Sequence, residues 1–196
     1  MLLEKKINNL REKISPHPDV SFVFNKIIET RKLGIDERGN VRRGYKDAIY
    51  LANKLGIRTS MVDPAYYFSW DGQAMAIDTD TSVIFHEIAH WQLASEPRRT
   101  IPDFGLGAGP ETGNFLIANR VKCLESNSIE NEECLASLLG ILWEVYFGLN
   151  AIDSLIEQSW LELSERDFTS QLFIKTYESL KARFLIDSYG DPTKPF

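Results

Sequence analysis

The segment His86-Glu87-Ile88-Ala89-His90, inside the apolar run 83–91, sets residue types that do chemistry at a chemically meaningful spacing. Two imidazoles four residues apart lie one above the other on a single helix face, so His86 and His90 can ligate one cation. Glu87 lies one residue round the helix from the first ring. There it can polarise a metal-bound water or orient a ligand, which makes it the candidate catalytic residue. The chain holds three histidines and two of them fall in this pattern. Among Val83, Ile84, Phe85, Ile88 and Ala89, such rings are costly to bury unless paired or bound to a metal.

The third histidine, His17, sits in the break Ser15-Pro16-His17-Pro18, so the completing ligand is expected to be a carboxylate from the second half of the chain. Helical phase ranks the candidates. Glu125 shares a face with Ile117, Ala118 and Val121 and is favoured. Glu132 comes next, on the apolar face it shares with Leu135 and Leu139. Glu130 is off that face, Glu111 is in a loop, and Glu133 and Glu144 read as more exposed. Two neutral imidazoles and one carboxylate leave coordination positions open, which suits Zn²⁺ for hydrolysis and equally the facial triad of Fe(II) oxygenases.

These residues need elements to hold them. Residues 2–14 read as an amphipathic helix stopped by the two prolines. A second helix spans about 22–33 and ends before Gly34, a polar turn covers 36–40, and a third helix runs from about 45 to 55. The period then changes to β-like over 57–62 and 65–70, and Asp71-Gly72 is a hairpin signal before 73–77. An edge strand leading into such a helix can hold an extended peptide. Residues 101–110 are too rich in Gly and Pro for regular structure and read as a wall of the site. Helices follow near 114–124, 132–147, 151–163 and 168–186. The pattern is that of a helix-rich α/β (α+β) chain: a small sheet with a β-hairpin beside the histidine helix, a zincin-like core, and a helical C-terminal half. Its expected divisions are an N-terminal helical segment 1–56, a metal-binding catalytic domain 57–190 and a tail 191–196.

At 196 residues, 43% of them hydrophobic, the chain can bury a sizeable core. Two cysteines, Cys123 and Cys134, are too few for a disulfide framework or a thiolate cage, which points to a cytoplasmic setting. The start has no signal-like apolar run, and residues 134–143 are too short to span a bilayer, so no membrane partner is expected. Residues 1–60 carry 13 basic against 7 acidic side chains and residues 61–196 carry 9 against 21. The histidine-bearing part is therefore acidic and suits a protein or small-molecule substrate with a cationic group. The basic part lacks clustered Arg and Lys interleaved with aromatics, so direct nucleic-acid binding is not expected.

The motif has a wider context. His86-Glu87-Ile88-Ala89-His90-Trp91, then Arg98-Arg99, then Asp103-Phe104-Gly105, resembles at the same spacing the signature of the bacterial elongation factor P hydroxylases, and Pro110-Glu111 falls where that family has Pro-Asp. The likeness covers roughly residues 73–125. It implies a compact α/β fold like that of the bacterial ribosomal-RNA-maturation endoribonucleases. It also implies a non-haem Fe(II) centre that hydroxylates a modified lysine, with elongation factor P as partner. Carried over by position, the ligands are His86, His90 and Glu125. The alternative is a zinc metallopeptidase of the His-Glu-x-x-His type, with Glu87 as general base and the 73–77 strand holding the peptide.

Overall fold

Eight α-helices of the described residues carry the architecture, with one short sheet between the third and fourth. The structure is a computed structural model that describes residues 2–32 and 37–193, the side chains of 32 and 37–42 excepted. The helices are α1 (Leu2–Ile14), α2 (Pro18–Glu29), α3 (Glu37–Lys54), α4 (Thr81–Leu93), α5 (Phe115–Arg120), α6 (Ser126–Tyr146), α7 (Ala151–Glu157) and α8 (Asp167–Ala182). The sheet is β1 (Thr59–Ser60) and β2 (Met75–Ala76), paired in parallel. The fold is thus helix-rich α+β. Its contacts divide the chain into two units, 1–36 with 137–196, and 37–136. The boundary expected at residue 56 falls inside the second unit.

In the first unit α1 follows the expected pattern. Ile7, Leu10 and Ile14 recur on one face and are fully buried, and α1 packs on α2 and α8. Each such burial stabilises by about 1.5–3 kcal/mol, whereas the ion pair of Lys13 with Asp167 lies in solvent and is screened by it, so the apolar stripe decides where α1 sits. The stripe meets an aromatic core. Phe173 stands edge-on to Phe24 at 5.7 Å and to Trp160 at 5.4 Å, and the Trp160 indole donates to Ser137 Oγ at 2.6 Å. Thr30 Oγ1 accepts from the Ala151 N–H at 3.1 Å, satisfying a first-turn donor of α7. His17 precedes α2, exposed and without a side-chain cap bond.

The second unit carries the histidine helix. On α3, Ala48, Leu51 and Ala52 recur at helical spacing and are buried, Leu55 is buried just after its end, and α3 packs on α4. Two expectations change here. The polar turn at 36–40 gives way to helix, because α3 already begins at Glu37; residue 36 lies outside the described residues. The strands shrink to two residues each. The Asp71-Gly72 turn does form, with Asp71 Oδ1 accepting from the N–H groups of Gln73 and Ala74 and Gly72 at φ 91°, and it brings Trp70 opposite Met75 in an antiparallel bridge. Asp63 instead caps a 3₁₀ turn at Pro64–Tyr66, so the 65–70 strand does not form. The N–H groups of Met75, Ala76 and Ile77 donate to Arg58, Ser69 and Ser60, so this segment is no free edge for a peptide to pair with. No helix among the described residues is long and apolar enough to cross a membrane.

Glu144, near the end of α6, supplies a test. It is only 6% exposed; one carboxyl oxygen has no hydrogen-bond partner among the described residues and Ser154 bonds the carboxyl. Burial, together with nearby Glu157 and Asp153, raises its pKa from 4.5 to about 8 against the lowering effect of Ser154. The folded state therefore favours the protonated acid. Its stabilising effect is complete below the unfolded pKa and is lost as pH rises from about 4.5 to about 8. Glu144→Gln should gain roughly 2 kcal/mol at pH 8 and little at pH 5, a difference readable by thermal denaturation at the two pH values.

Candidate metal centre

The site lies wholly within the 37–136 unit. Asp80 precedes α4 in extended backbone and its carbonyl accepts from the Ile84 N–H, starting a helix whose buried face is Ile84, Phe85, Ile88, Ala89 and His90. The four-residue spacing sets the rings of His86 and His90 edge to face, with centroids 4.6 Å apart and their Nε2 atoms 2.9 Å apart. The carboxylate that meets them comes from α6. Glu133 Oε2 stands 3.3 Å from His86 Nε2 and 3.4 Å from His90 Nε2.

Three donor atoms thus form a triangle with sides of 2.9, 3.3 and 3.4 Å. Donors about 2.1 Å from one tetrahedral or octahedral ion lie about 3.0–3.4 Å from one another, so the spacing fits a single transition-metal ion. His86, His90 and Glu133 are the group among the described residues whose ligand atoms converge in this way. Electrostatics agree. Burial alone would disfavour a charged His90 ring, yet its contacts with Glu132 and Glu133 and the charge of Glu87 push it up to about 10. Burial likewise works to raise Glu133, but its contacts with His86 and His90 hold it far below the usual carboxylate range. A positive charge is wanted at the centre of this triangle, and an ion with nitrogen and oxygen ligands can supply it.

Glu125 does not join the rings. Helix α5 ends at Arg120 and α6 starts at Ser126, so Glu125 stands exposed just before α6, where its carbonyl accepts from the N–H groups of Ser128 and Ile129. The break resets the helical phase on which its ranking rested. Glu132 is buried beside the site, but both its oxygens accept from Arg98, at 2.7 Å each. Its Oε1 is 3.5 Å from His90 Nδ1, on the far side of the ring from Glu133. Adjacent helix positions diverge by about 100°, which lets Glu132 face Arg98 while Glu133 faces the rings.

Glu87 follows His86 on α4, and its charge interacts with those of His90 and Glu133. Burial raises its pKa from 4.5 to about 8, opposed by His90 and reinforced by Asp103, Glu133 and Glu111.

The wall of the site is the 98–114 segment. Arg98 donates through Nε to the Phe104 carbonyl at 2.9 Å, and Arg99 lies over the Trp91 ring at 3.7 Å while donating to the Trp91 carbonyl. Arg99 and Trp91 therefore hold the loop to α4, while Arg98 holds it to Glu132 of α6. Asp103 is likewise engaged: Oδ1 accepts from the Trp70 N–H at 3.2 Å and Oδ2 from the Thr112 hydroxyl at 2.7 Å. It is 6% exposed, and both carboxyl oxygens are engaged within the protein. Further along, the N–H groups of Gly113 and Asn114 donate to the carbonyls of Pro64 and Tyr67, and Phe115, Leu116 and Ile117 on α5 are exposed.

Among comparisons with known proteins, no family model, curated protein or solved structure matches the chain.

Asp103 has φ 44°, a left-handed conformation that Asp and Asn tolerate better than Ala. Asp103→Ala should cost about 2–3 kcal/mol, because it strands the Trp70 N–H and strains the backbone, and Asp103→Asn clearly less. Urea titration of the two variants against the parent measures the difference.

Proposed function

We propose that the chain is a metal-dependent enzyme whose ligands are His86, His90 and Glu133, and that it is a non-haem Fe(II) hydroxylase. The observation that carries the metal centre is the triangle of two imidazole nitrogens and one carboxylate oxygen, all from protein and all on one side. A structural zinc takes four protein ligands, whereas three leave positions for reactants. Iron(II) held this way supplies dioxygen activation, which is the use made of a facial two-histidine, one-carboxylate set.

Support for the hydroxylase over the hydrolase comes from two places. The Trp91, Arg98-Arg99 and Asp103-Phe104-Gly105 context is similar to that of the elongation factor P hydroxylases, and each of these residues has a defined structural task round the centre. The peptidase alternative needs a free strand edge to hold the peptide, and the N–H groups of residues 75–77 are already used. What favours that alternative is Glu87, whose pKa of about 8 suits a general base at neutral pH. Under the hydroxylase reading Glu87 holds or passes a proton at its carboxyl beside the ligands, and the surplus of acidic over basic side chains in residues 61–196 attracts a cationic substrate such as a modified lysine side chain on a protein.

Protein purified without oxygen and loaded with Fe(II) should bind about one ion per chain. Glu133→Ala should lose it and Glu125→Ala retain it, as measured by elemental analysis. Given an added two-electron reductant, the loaded protein should consume O₂ and add one oxygen atom to lysine-modified elongation factor P, the other oxygen leaving as water, read by intact mass. Stoichiometric zinc, with peptide cleavage abolished in Glu87→Gln, would move the assignment to the peptidase.

A further inference from the structure

We propose that Arg98, Glu132 and Phe104 are positioning residues for His90, fixing which ring nitrogen faces the metal and the plane in which the ring lies. The inference rests on the metal-centre reading and adds to it the groups that hold one ligand in place. Its starting point is the nitrogen the triangle does not use. His90 Nδ1 is buried and lacks a hydrogen-bond partner within normal range, and the carboxylate oxygen beside it, Glu132 Oε1, is 3.5 Å away. A metal-bound imidazole characteristically presents its second nitrogen, as N–H, to a carboxylate, which sets the tautomer and raises the ring's basicity.

Glu132 cannot drift. Both of its oxygens are held by the two terminal nitrogens of Arg98, and its side chain is 11% exposed. Arg98 is fixed in turn through its third direction, since Nε donates to the Phe104 carbonyl. A planar guanidinium with all three edges engaged is a rigid brace between α6 and the loop.

The same loop residue supplies the second restraint. The Phe104 ring is fully buried and lies 5.9 Å from the His90 ring at 25°, and on its other side it stacks on Trp70 at 5.4 Å and 7°. To reach that place the backbone runs left-handed at Asp103 (φ 44°) and Phe104 (φ 55°), and Gly105 (φ 71°) follows. Two consecutive non-glycine residues in this region are unfavourable, and the conformation persists because several contacts over-determine it. Asp103 is tied to Trp70 and Thr112, and Phe104 to Arg98. Polar and apolar restraints therefore converge on one imidazole from two sides of its ring.

The test uses the full chain and two probe ions. Affinity is read with Co(II), by competition against a chelator and from its visible spectrum. The tautomer is read on Zn(II)-loaded protein from long-range ¹H–¹⁵N spectra of the histidine rings. Glu132→Gln should weaken Co(II) binding about 10–100-fold, alter the Co(II) spectrum and move the His90 Nδ1–H signal upfield, while Glu130→Gln, an exposed control on the same helix, changes none of these. Should Glu132→Gln fail to fold, Arg98→Lys decides in its place, since it keeps a cation beside Glu132 but removes the fork; it should give a smaller affinity loss with the same spectral change. Phe104→Leu should broaden or shift the Co(II) bands. Parent protein that binds Co(II) alongside a folded Glu132→Gln that binds it equally well, with an unmoved His90 signal, overturns the positioning roles. Parent protein that binds neither ion overturns the metal centre itself.

Discussion

A carboxylate placed against two imidazoles, one of them buried, has its charge answered by their nitrogens, and that pairing organises the 37–136 unit. Glu133 brings the negative charge, His86 and His90 bring nitrogens that can share a proton or an ion, and the three lie within one hydrogen-bond length of each other. The Glu133 side chain is 45% exposed, so solvent screens part of that charge, and the ring nitrogens of His86 and His90 answer the rest. The other features serve it: α3 backs α4, the 98–105 loop is tied to α4 through Arg99 and to α6 through Arg98, and Glu132 absorbs the arginine so that Glu133 is left for the rings.

The histidine helix is legible in the sequence because its information is local. Apolar neighbours and an i, i+4 pair all fall within residues 83–91, and the structure sets α4 where they point. Helix α1 is legible for the same reason, with its stripe and its proline stop. The third ligand is not. Ranking Glu125 by phase assumed one helix through residue 124, whereas α5 is six residues long and a break at 121–125 precedes α6. Phase also misleads on α6 itself, because residues 135–143 include no charged side chain and are nearly all buried; an all-round apolar helix has no single inner face. One signal could have pointed to Glu133: two adjacent acids at the head of such a helix need two partners, and Arg98 and the histidines were available to provide them.

The sheet and the loop fail in sequence for a different reason. Alternation over 57–62 and 65–70 is a statement about side-chain faces, and Asp63-Pro64 overrides it by closing a 3₁₀ turn. Of the hairpin only the Asp71 turn and one bridge remain. Asp103-Phe104-Gly105 reads as a loop with one flexible residue, and in the structure all three are left-handed. Nothing in a propensity scale anticipates a buried phenylalanine at positive φ, because the contacts that hold it come from residues 70, 98 and 112.

The segment after that turn is fastened by its main chain. Gly113 passes so close to the Ala65 carbonyl that a Cβ would sit 2.1 Å from the oxygen, and the N–H groups of residues 113 and 114 are bonded to Pro64 and Tyr67. The anchoring thus owes nothing to the side chains of Phe115, Leu116 and Ile117, which face water. Mutational drift at those three positions is nearly free of folding cost, on the order of 0.5 kcal/mol or less per change, whereas Gly113 admits no replacement without displacing its neighbours. Selection can therefore rewrite the outer face of α5 while the cluster a few residues upstream stays as it is.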